Sequence, residues 1–202
     1  MPNPKRWIHT HREDPFVKLA KKQGLCSRAA YKLIEIQKKY ELIKPAMNVL
    51  ELGAAPGSWT QIIQRYLRGH GRIIAVDRLP LKHTYNATFI QGDITNTAIS
   101  EQIINILDGE LLDVVLSDMA PNLSGQKAID QPRMIHLIES AFSLTQKILK
   151  PKGCFLFKLF QGAGSDELVK DIKIHFNAIK RCKPSASRAK SREIYVLARG
   201  FH

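Results

Sequence analysis

The chain has 202 residues, of which 44% are hydrophobic and 24% are charged, a composition typical of a folded domain and not of a disordered chain. No apolar run reaches the roughly 18 residues that a membrane span requires, and the N-terminal residues lack the apolar core of a secretory signal. Cys26, Cys154 and Cys182 lie far apart, which argues against a disulfide framework and a zinc site. We therefore expect a cytoplasmic protein with no membrane contact and no metal, folded as one domain over 1–202.

The net charge of +13 is confined to the two ends of the chain. Residues 1–44 carry 11 Lys and Arg against 4 Asp and Glu, residues 178–202 carry 7 against 1, and the middle is neutral. Both ends also carry regularly spaced apolar residues, so we expect them to fold and to form a surface for a polyanion, most naturally nucleic acid. Candidate phosphate contacts are Arg6, Arg12, Lys21, Lys22, Arg28, Lys38, Arg188, Lys190 and Arg192.

The first part of the chain predicts an extended arm over 1–17, because prolines at positions 2, 4 and 15 discourage helix there. Ser27 predicts the N-cap of a helix to about Tyr40, so that 1–44 forms a basic arm and a helix packed on the core. Short apolar runs then alternate with helical patterns. The predicted strands are 49–52, 73–76, 88–91, 114–117, 154–159 and 194–198, with a possible strand at 179–182, and the predicted helices are 58–67, 99–107, 129–149 and 166–176.

Strands that are apolar throughout and separated by helices predict a mostly parallel sheet that is covered on both faces. The short connection at 184–187 predicts that the last two strands are antiparallel. The expected fold class is therefore α/β, a Rossmann-like doubly wound sheet with an antiparallel C-terminal strand. Such sheets bind ligands at the carboxyl ends of their strands.

The first predicted strand ends in a glycine-containing turn that departs from the dinucleotide-binding pattern. Gly53 and Gly57 permit a tight turn and close approach of the backbone to a ligand. Glu51 precedes this turn, and a carboxylate there suits a cationic ligand better than a phosphate. S-adenosylmethionine, which carries an ammonium and a sulfonium group, is such a ligand.

Acidic residues also follow the next three predicted strands. Asp77 stands where a carboxylate can accept both ribose hydroxyls of an adenosine, and Asp93 stands where it can accept from an adenine amino group. Asp118 ends the fourth strand. Each acid alone is commonly a turn former, but four acids at four successive strand ends predict a site for an adenosine joined to an amino acid.

Five segments of the chain together form a specific combination of motifs, and they are 27–33, 51–59, 117–122, 157–162 and 187–195. In these segments the chain resembles the FtsJ/RrmJ family of ribosomal RNA ribose 2′-O-methyltransferases, which are class I S-adenosylmethionine-dependent enzymes. The resemblance extends from about Lys18 to Phe201. Two residues depart from the common pattern of the family. Ser58 replaces a second glycine, and Glu51 replaces the commoner aspartate.

The resemblance implies 2′-O-methylation of RNA, most closely of a uridine in the A-loop of 23S rRNA within the large ribosomal subunit. It implies cofactor contacts at Gly57, Trp59, Asp77, Asp93 and Asp118. It also implies a catalytic tetrad, whose members are Lys32, Asp118, Lys158 and Glu193. A monomer is expected, because RNA has to reach the open face of the molecule.

The chemistry of methyl transfer explains why lysines and acids belong in such a site. A ribose 2′-hydroxyl is a poor nucleophile, so its proton has to be removed or polarised during attack on the cofactor methyl. A lysine is neutral enough for this task only when burial or a second cation disfavours its charge, and Lys32 is the expected second cation. We therefore assign Lys158 as the base or steering group, Asp118 as its orienting partner, and Lys32 with Glu193 as tuning residues that hold the ribose.

Three other functions remain open from the sequence. One is the same 2′-O-methylation on a different substrate, such as a transfer RNA. A nicotinamide-dependent oxidoreductase is disfavoured by the interrupted glycine pattern and the basic ends. A non-catalytic RNA-binding module is disfavoured by the complete tetrad.

Overall fold

The computed structural model describes residues 13–83, 85–188 and 191–202. Its helices are α1 (Pro15–Lys22), α2 (Ala29–Tyr40), α3 (Ser58–Leu67), α4 (Thr97–Leu107), α5 (Lys127–Ile148) and α6 (Ser165–Lys173). Its strands are β1 (Asn48–Leu52), β2 (Arg72–Asp77), β3 (Thr88–Gln91), β4 (Leu112–Ser117), β5 (Leu149–Phe160), β6 (Phe176–Cys182) and β7 (Glu193–Phe201).

The seven strands form one sheet in the order β3-β2-β1-β4-β5-β7-β6. Strands β1 to β5 pair in parallel, and β7 lies antiparallel between β5 and β6. The predicted doubly wound α/β fold with an antiparallel C-terminal strand is therefore confirmed. Within the described residues, no helix is both long enough and apolar enough to cross a membrane.

Two apolar layers cover the two faces of the sheet. One layer packs α4, α5 and α6 against the sheet, and the other packs α1, α2 and α3 against the opposite face. Side chains point alternately to the two faces of a strand, and both faces of this sheet are covered. Consecutive residues of a strand are therefore all buried, as residues 49–52 of β1 are. This explains why the strands read as continuous apolar runs in the sequence.

The N-terminal segment differs from its predicted extended conformation. Residues 1–12 lie outside the described residues, but helix α1 begins within the predicted arm, at Pro15. Asp14 caps this helix, since its side chain accepts a hydrogen bond from the backbone of Phe16 at 2.9 Å. Proline is compatible with the first helical position because its missing N–H has no partner within the helix there. The prediction that Pro15 discourages helix was therefore wrong.

The predicted boundary at the end of α6 was also wrong. The sequence predicts helix to Phe176, whereas the helix ends at Lys173 and Phe176 is the first residue of β6. Phe176 pairs with Phe201 at the far end of β7 and is buried in the core. Strand pairing and burial therefore override the local helical pattern.

A buried amide fixes the connection between α2 and the sheet. The side chain of Gln37 is 6% exposed, donates to the carbonyl of Ile43 at 2.6 Å and accepts from its amide at 2.8 Å. Both backbone groups are buried, and an unpaired buried polar group costs free energy. Gln37 thereby holds in place the segment that carries α2 into β1.

Replacement of Gln37 by alanine is expected to lower the free energy of unfolding by about 2 kcal/mol, because two buried backbone groups lose their partner. The matched control is Lys38→Ala at the exposed neighbouring position, for which a change within about 0.5 kcal/mol is expected. Urea denaturation of the two variants measures the difference. Equal stabilities would show that the Gln37 side chain does not stabilise the connection.

Candidate active site

A cavity opens at the edge of the sheet where β1, β2, β3 and β4 end. Its volume is about 520 Å³, within the roughly 300–1,000 Å³ of small-ligand sites. This position agrees with the rule that ligands bind at the carboxyl ends of parallel strands. The lining residues are Gly53, Ala55, Val76, Asp77, Arg78, Gly92, Asp93, Ile94, Asp118, Met119, Ala120, Pro121, Asn122, Arg133, His136 and Leu137.

Three of the four acids predicted at strand ends line this cavity, namely Asp77, Asp93 and Asp118. The carboxylate of Asp77 is held by two backbone amides, those of Ala55 and Leu79, each at 2.8 Å. Partial burial opposes the charge of Asp93, but hydrogen bonds from Thr95 outweigh it and lower the pKa of Asp93. The two carboxylates are therefore fixed acceptors at the rim of the cavity.

Gly53 is the glycine of the first turn that lines the cavity. Its φ angle is +81°, and a Cβ at this position would lie 2.8 Å from the backbone nitrogen of Met119. A side chain is therefore excluded both by conformation and by space. Gly57 also has a positive φ of +106° and contacts the ring of Tyr85, but it does not line the cavity.

Trp59 lies in the core and not at the cavity wall. Its side chain is 2% exposed, and its indole nitrogen donates to the backbone carbonyl of Ala29 at 2.8 Å. The ring also packs on Tyr195, with ring centroids 5.7 Å apart. Trp59 joins α3 to α2, and its contact with a cofactor stays a prediction.

Glu51, the fourth strand-end acid, is buried beneath the turn and does not line the cavity. Its carboxyl oxygen Oε2 accepts a hydrogen bond from the hydroxyl of Thr60 at 2.6 Å. Burial, and to a lesser extent the charges of Asp118 and Asp77, raise the pKa of Glu51 to about 8. At neutral pH this acid is therefore mostly protonated, and the strand-end acid that lines the cavity beside the first turn is Asp118.

The predicted tetrad is assembled as two ion pairs. Lys158 Nζ lies 3.0 Å from Asp118 Oδ1 and also donates to the backbone carbonyl of Asp118. Their side chains are 8% and 14% exposed. Burial opposes the charge of Asp118, but Lys158 and Lys32 favour it, and the pKa of Asp118 lies below its ordinary value. Asp118 belongs to both this pair and the cavity.

The second ion pair joins the N-terminal helix to the last strand. Lys32 Nζ, from α2, lies 2.6 Å from Glu193 Oε1 at the start of β7, and both side chains are about as buried as Asp118. The carboxylate of Glu193 also accepts a hydrogen bond from the hydroxyl of Ser187 at 2.9 Å. Two basic segments that are distant in sequence therefore meet at this pair.

Comparison with known proteins shows the family of the chain. Residues 25–201 match the family of FtsJ-like methyltransferases. The chain belongs to this family. Over 194 residues, 96% of this chain and 90% of the relative, it is 51% identical to "Ribosomal RNA large subunit methyltransferase E" of Acinetobacter baumannii. A protein of the same name from Pseudomonas fluorescens is 49% identical over 195 residues, 96% of this chain and 93% of the relative.

A solved structure is similar over most of the chain. The crystal structure of a ribosomal RNA methyltransferase from Plasmodium falciparum aligns with a TM-score of 0.79 and 31% identity, and the match covers 87% of this chain and 97% of that one. The resemblance to the FtsJ/RrmJ family is thereby confirmed. Membership in a methyltransferase family also argues against the nicotinamide-dependent oxidoreductase.

In this FtsJ-like methyltransferase, Tyr195 connects the two ion pairs, a role that sequence reasoning missed. Its hydroxyl donates to Asp118 Oδ1 at 2.5 Å, and its ring lies under Lys32 Nζ, 5.6 Å from the ring centroid. Burial and the neighbouring charges of Asp118 and Glu193 raise the pKa of Tyr195 well above its ordinary value, so that it stays a donor.

The register of the strands explains this arrangement. Lys158 on β5 is paired directly with Tyr195 on β7, so both side chains project from the same face of the sheet. Glu193 stands two residues before Tyr195 and shares that face, because side chains alternate along a strand. The spacing of two residues between Glu193 and Tyr195 could have shown that they share a face of the strand. The pairing of Tyr195 with Lys158 could not be predicted from the sequence.

One of the predicted phosphate contacts has another role. The guanidinium of Arg28 donates to the carboxylate of Asp14 and to the backbone carbonyl of Ala186, and its side chain is 14% exposed. Both terminal nitrogens of the guanidinium therefore donate to protein groups, and a contact of Arg28 with phosphate stays a prediction. Arg6, Arg12 and Lys190 lie outside the described residues.

The buried acid of this methyltransferase gives a pH-dependent stability with a defined sign. Between about pH 4.5 and pH 8 the folded protein keeps the proton of Glu51, whereas the unfolded chain has lost it. The stabilisation is complete below pH 4.5 and is lost as the pH rises through 8, with a slope of up to about 1.4 kcal/mol per pH unit. Glu51→Gln keeps the acceptor for Thr60 but cannot ionise.

We therefore expect the free energy of unfolding of the native protein to fall relative to that of Glu51→Gln as the pH rises from 5 to 9. Urea denaturation at several pH values measures this difference. Parallel curves for the two proteins would show that Glu51 is ionised in the folded state. Thr60→Val tests whether the hydrogen bond alone matters, since it removes the hydroxyl without changing the acid.

Proposed function

We propose that this protein transfers the methyl group of S-adenosylmethionine to a ribose 2′-hydroxyl of ribosomal RNA, at a uridine in the A-loop of 23S rRNA within the large ribosomal subunit. Family membership and the names of the relatives support a ribosomal RNA methyltransferase. The observation that carries the proposal is Asp118, which lines the cavity and at the same time holds Lys158. A cofactor site and a candidate base thus share one side chain.

The residues at the cavity fit S-adenosylmethionine. Asp77 and Asp93 are fixed acceptors for the ribose hydroxyls and the adenine amino group, and Gly53 lines the cavity with them. Asp118 keeps a negative charge for the cationic methionine end. The cofactor supplies a methyl group that its sulfonium already activates, so that the task of the protein is in-line positioning and control of one proton.

Lys158 is placed to orient and deprotonate the attacking hydroxyl. Two of its hydrogens are directed to the backbone carbonyl and to Oδ1 of Asp118. The remaining position on Nζ carries a third hydrogen in the ammonium form and a lone pair in the neutral form. It accordingly steers the 2′-oxygen or accepts its proton as the oxygen–methyl bond forms. By accepting the other two hydrogens, Asp118 fixes the orientation of the third position on Nζ.

The second ion pair places the ribose. Lys32 and Glu193 form it at the border of β7, and the ring of Tyr195 lies against Lys32. Lys32 supplies a positive charge close enough to lower the pKa of Asp118. Lys32 thereby stabilises the carboxylate that holds Lys158, while Glu193 anchors Lys32.

Lys158→Ala is expected to lower single-turnover methyl transfer by roughly 10²- to 10⁴-fold, because the hydroxyl loses its proton acceptor. Binding of S-adenosylmethionine, measured by calorimetry, is expected to change little. The matched control is Lys152→Ala, at an exposed position near the other end of the same strand. Turnover of Lys158→Ala at the wild-type rate would remove Lys158 from the mechanism.

The basic ends predict an electrostatic mode of RNA binding. Each phosphate that a cation neutralises adds about 0.7 to the slope of log affinity against log salt for single-stranded RNA. We therefore expect the affinity to fall steeply between low and physiological salt, as measured by fluorescence anisotropy. A slope near zero would contradict this surface.

The proposed substrate is tested directly by mapping 2′-O-methylation in total RNA from cells with and without the protein. Loss of one modification in the A-loop of 23S rRNA supports the proposal. A modification lost from transfer RNA supports the alternative substrate instead. Methylation that is unchanged throughout contradicts both and favours a non-catalytic RNA-binding module.

A further inference from the structure

The loop between β6 and β7 is held against helix α2. Pro184, Ala186 and Ser187 in this loop are buried, while Arg188 projects into solvent. A solvent-facing basic loop ordinarily buries few of its residues. Specific contacts therefore fix this loop in place.

Glu35 supplies the main contact from α2. Its oxygen Oε2 accepts hydrogen bonds from both the backbone amide and the hydroxyl of Ser185, each at 2.8 Å, and Oε1 accepts from the same amide at 2.9 Å. The two residues are 150 positions apart in the sequence. A side chain of α2 that accepts from both the amide and the hydroxyl of one loop residue fixes the loop at that residue.

A second contact beside it comes from Arg28, whose guanidinium donates to the carbonyl of Ala186. Burial, and to a lesser extent the charge of Arg188, lowers the pKa of Arg28. Ser187, the next residue of the loop, donates to Glu193. The loop is therefore held by α2 on one side and by the tetrad on the other.

An acid at this place is unexpected from charge alone. The surface formed by both ends of the chain is strongly basic, and a carboxylate within a phosphate-binding surface weakens RNA binding by Coulomb repulsion. A compensating effect is available, because a loop that is ordered before binding does not have to lose conformational freedom when RNA binds.

We propose that Glu35 is a positioning residue of the RNA-binding surface, holding the β6–β7 loop against α2 so that both basic ends form one preformed surface. The proposal rests on the proposed function only in taking RNA as the substrate class. Glu35 acts through the loop and its cation Arg188, and it is not one of the residues proposed to contact the cofactor or the reacting atoms.

Removal of the Glu35 carboxylate separates the two effects, because charge and positioning predict opposite signs. Glu35→Ala is expected to weaken binding of a fluorescein-labelled poly(U) RNA by about fivefold or more, since one cation–phosphate pair is worth roughly that factor in 0.1 M salt. The slope of log affinity against log salt is expected to become shallower by about 0.7 for each phosphate that is no longer neutralised. Repulsion alone predicts tighter binding.

Two variants serve as matched controls. Glu35→Gln removes the charge but keeps one oxygen, which suffices for both hydrogen bonds because Oε2 alone accepts both. Glu41→Ala removes the same charge from an exposed position at the end of the same helix. Both are expected to bind poly(U) at least as tightly as the native protein.

Two results would overturn the positioning role of Glu35. One is Glu35→Ala binding poly(U) as tightly as the native protein or more tightly, and the other is Glu35→Gln weakening binding as much as Glu35→Ala. Affinity for S-adenosylmethionine and the melting temperature report whether the variant is folded. If Glu35→Ala does not fold, Glu35→Leu replaces it, because leucine fills the position but accepts no hydrogen bond from Ser185, and native affinity in that variant overturns the proposal.

The same measurements distinguish the positioning role from the function on which it rests. A native protein that methylates ribosomal RNA, combined with unchanged RNA affinity in Glu35→Ala, removes only the positioning role. A native protein that fails to bind poly(U) contradicts the RNA surface itself, and with it both proposals.

Discussion

The buried ion pair between Lys158 and Asp118 constrains the rest of the site. A charge removed from water is stable only when an opposite charge and hydrogen bonds compensate it, and both partners here are largely buried. Asp118 can compensate the charge of Lys158 only if the end of β4 lies beside β5. The parallel pairing of these strands, with Ser117 opposite Phe157, brings the two side chains together. Because Asp118 also lines the cavity, the same constraint places Lys158, the proposed base, next to the cavity.

Tyr195 extends this constraint across the antiparallel edge of the sheet. Its hydroxyl satisfies Asp118, and its ring lies against Lys32 of the N-terminal helix. Because β7 runs antiparallel to β5, Tyr195, two residues after Glu193, pairs with Lys158. A parallel strand at this position would run in the opposite direction, so that Glu193, at its start, would lie at the far edge of the sheet.

The distribution of charge along the chain has a structural counterpart. The described parts of the two basic ends meet where α2 and the β6–β7 loop contact each other beside Lys32 and Glu193. Some of the charge at these ends is used inside the protein, since Arg28 bridges Asp14 and Ala186 and Lys32 pairs with Glu193. The number of Lys and Arg residues at the ends therefore overstates the number of cations that these ends place at the surface.

Much of the fold followed from the sequence, because apolar runs and helical periodicity are local properties. The strands and most helices, the acids at the strand ends and the four tetrad residues were all identified in this way or through the family resemblance. The local patterns gave wrong predictions at two places. At Pro15 the Asp14 cap stabilises a helix, and at Phe176 pairing with β7 stabilises a strand.

What only the tertiary structure decided is which side chains face which. The sequence contains Glu51 and Trp59 beside the cofactor turn, but only the packing shows that both are buried away from the cavity. It contains Tyr195, Glu35 and Arg28, but their partners lie 77, 150 and 158 positions away. Contacts at such separations depend on strand order and register, and no local pattern of residues encodes them.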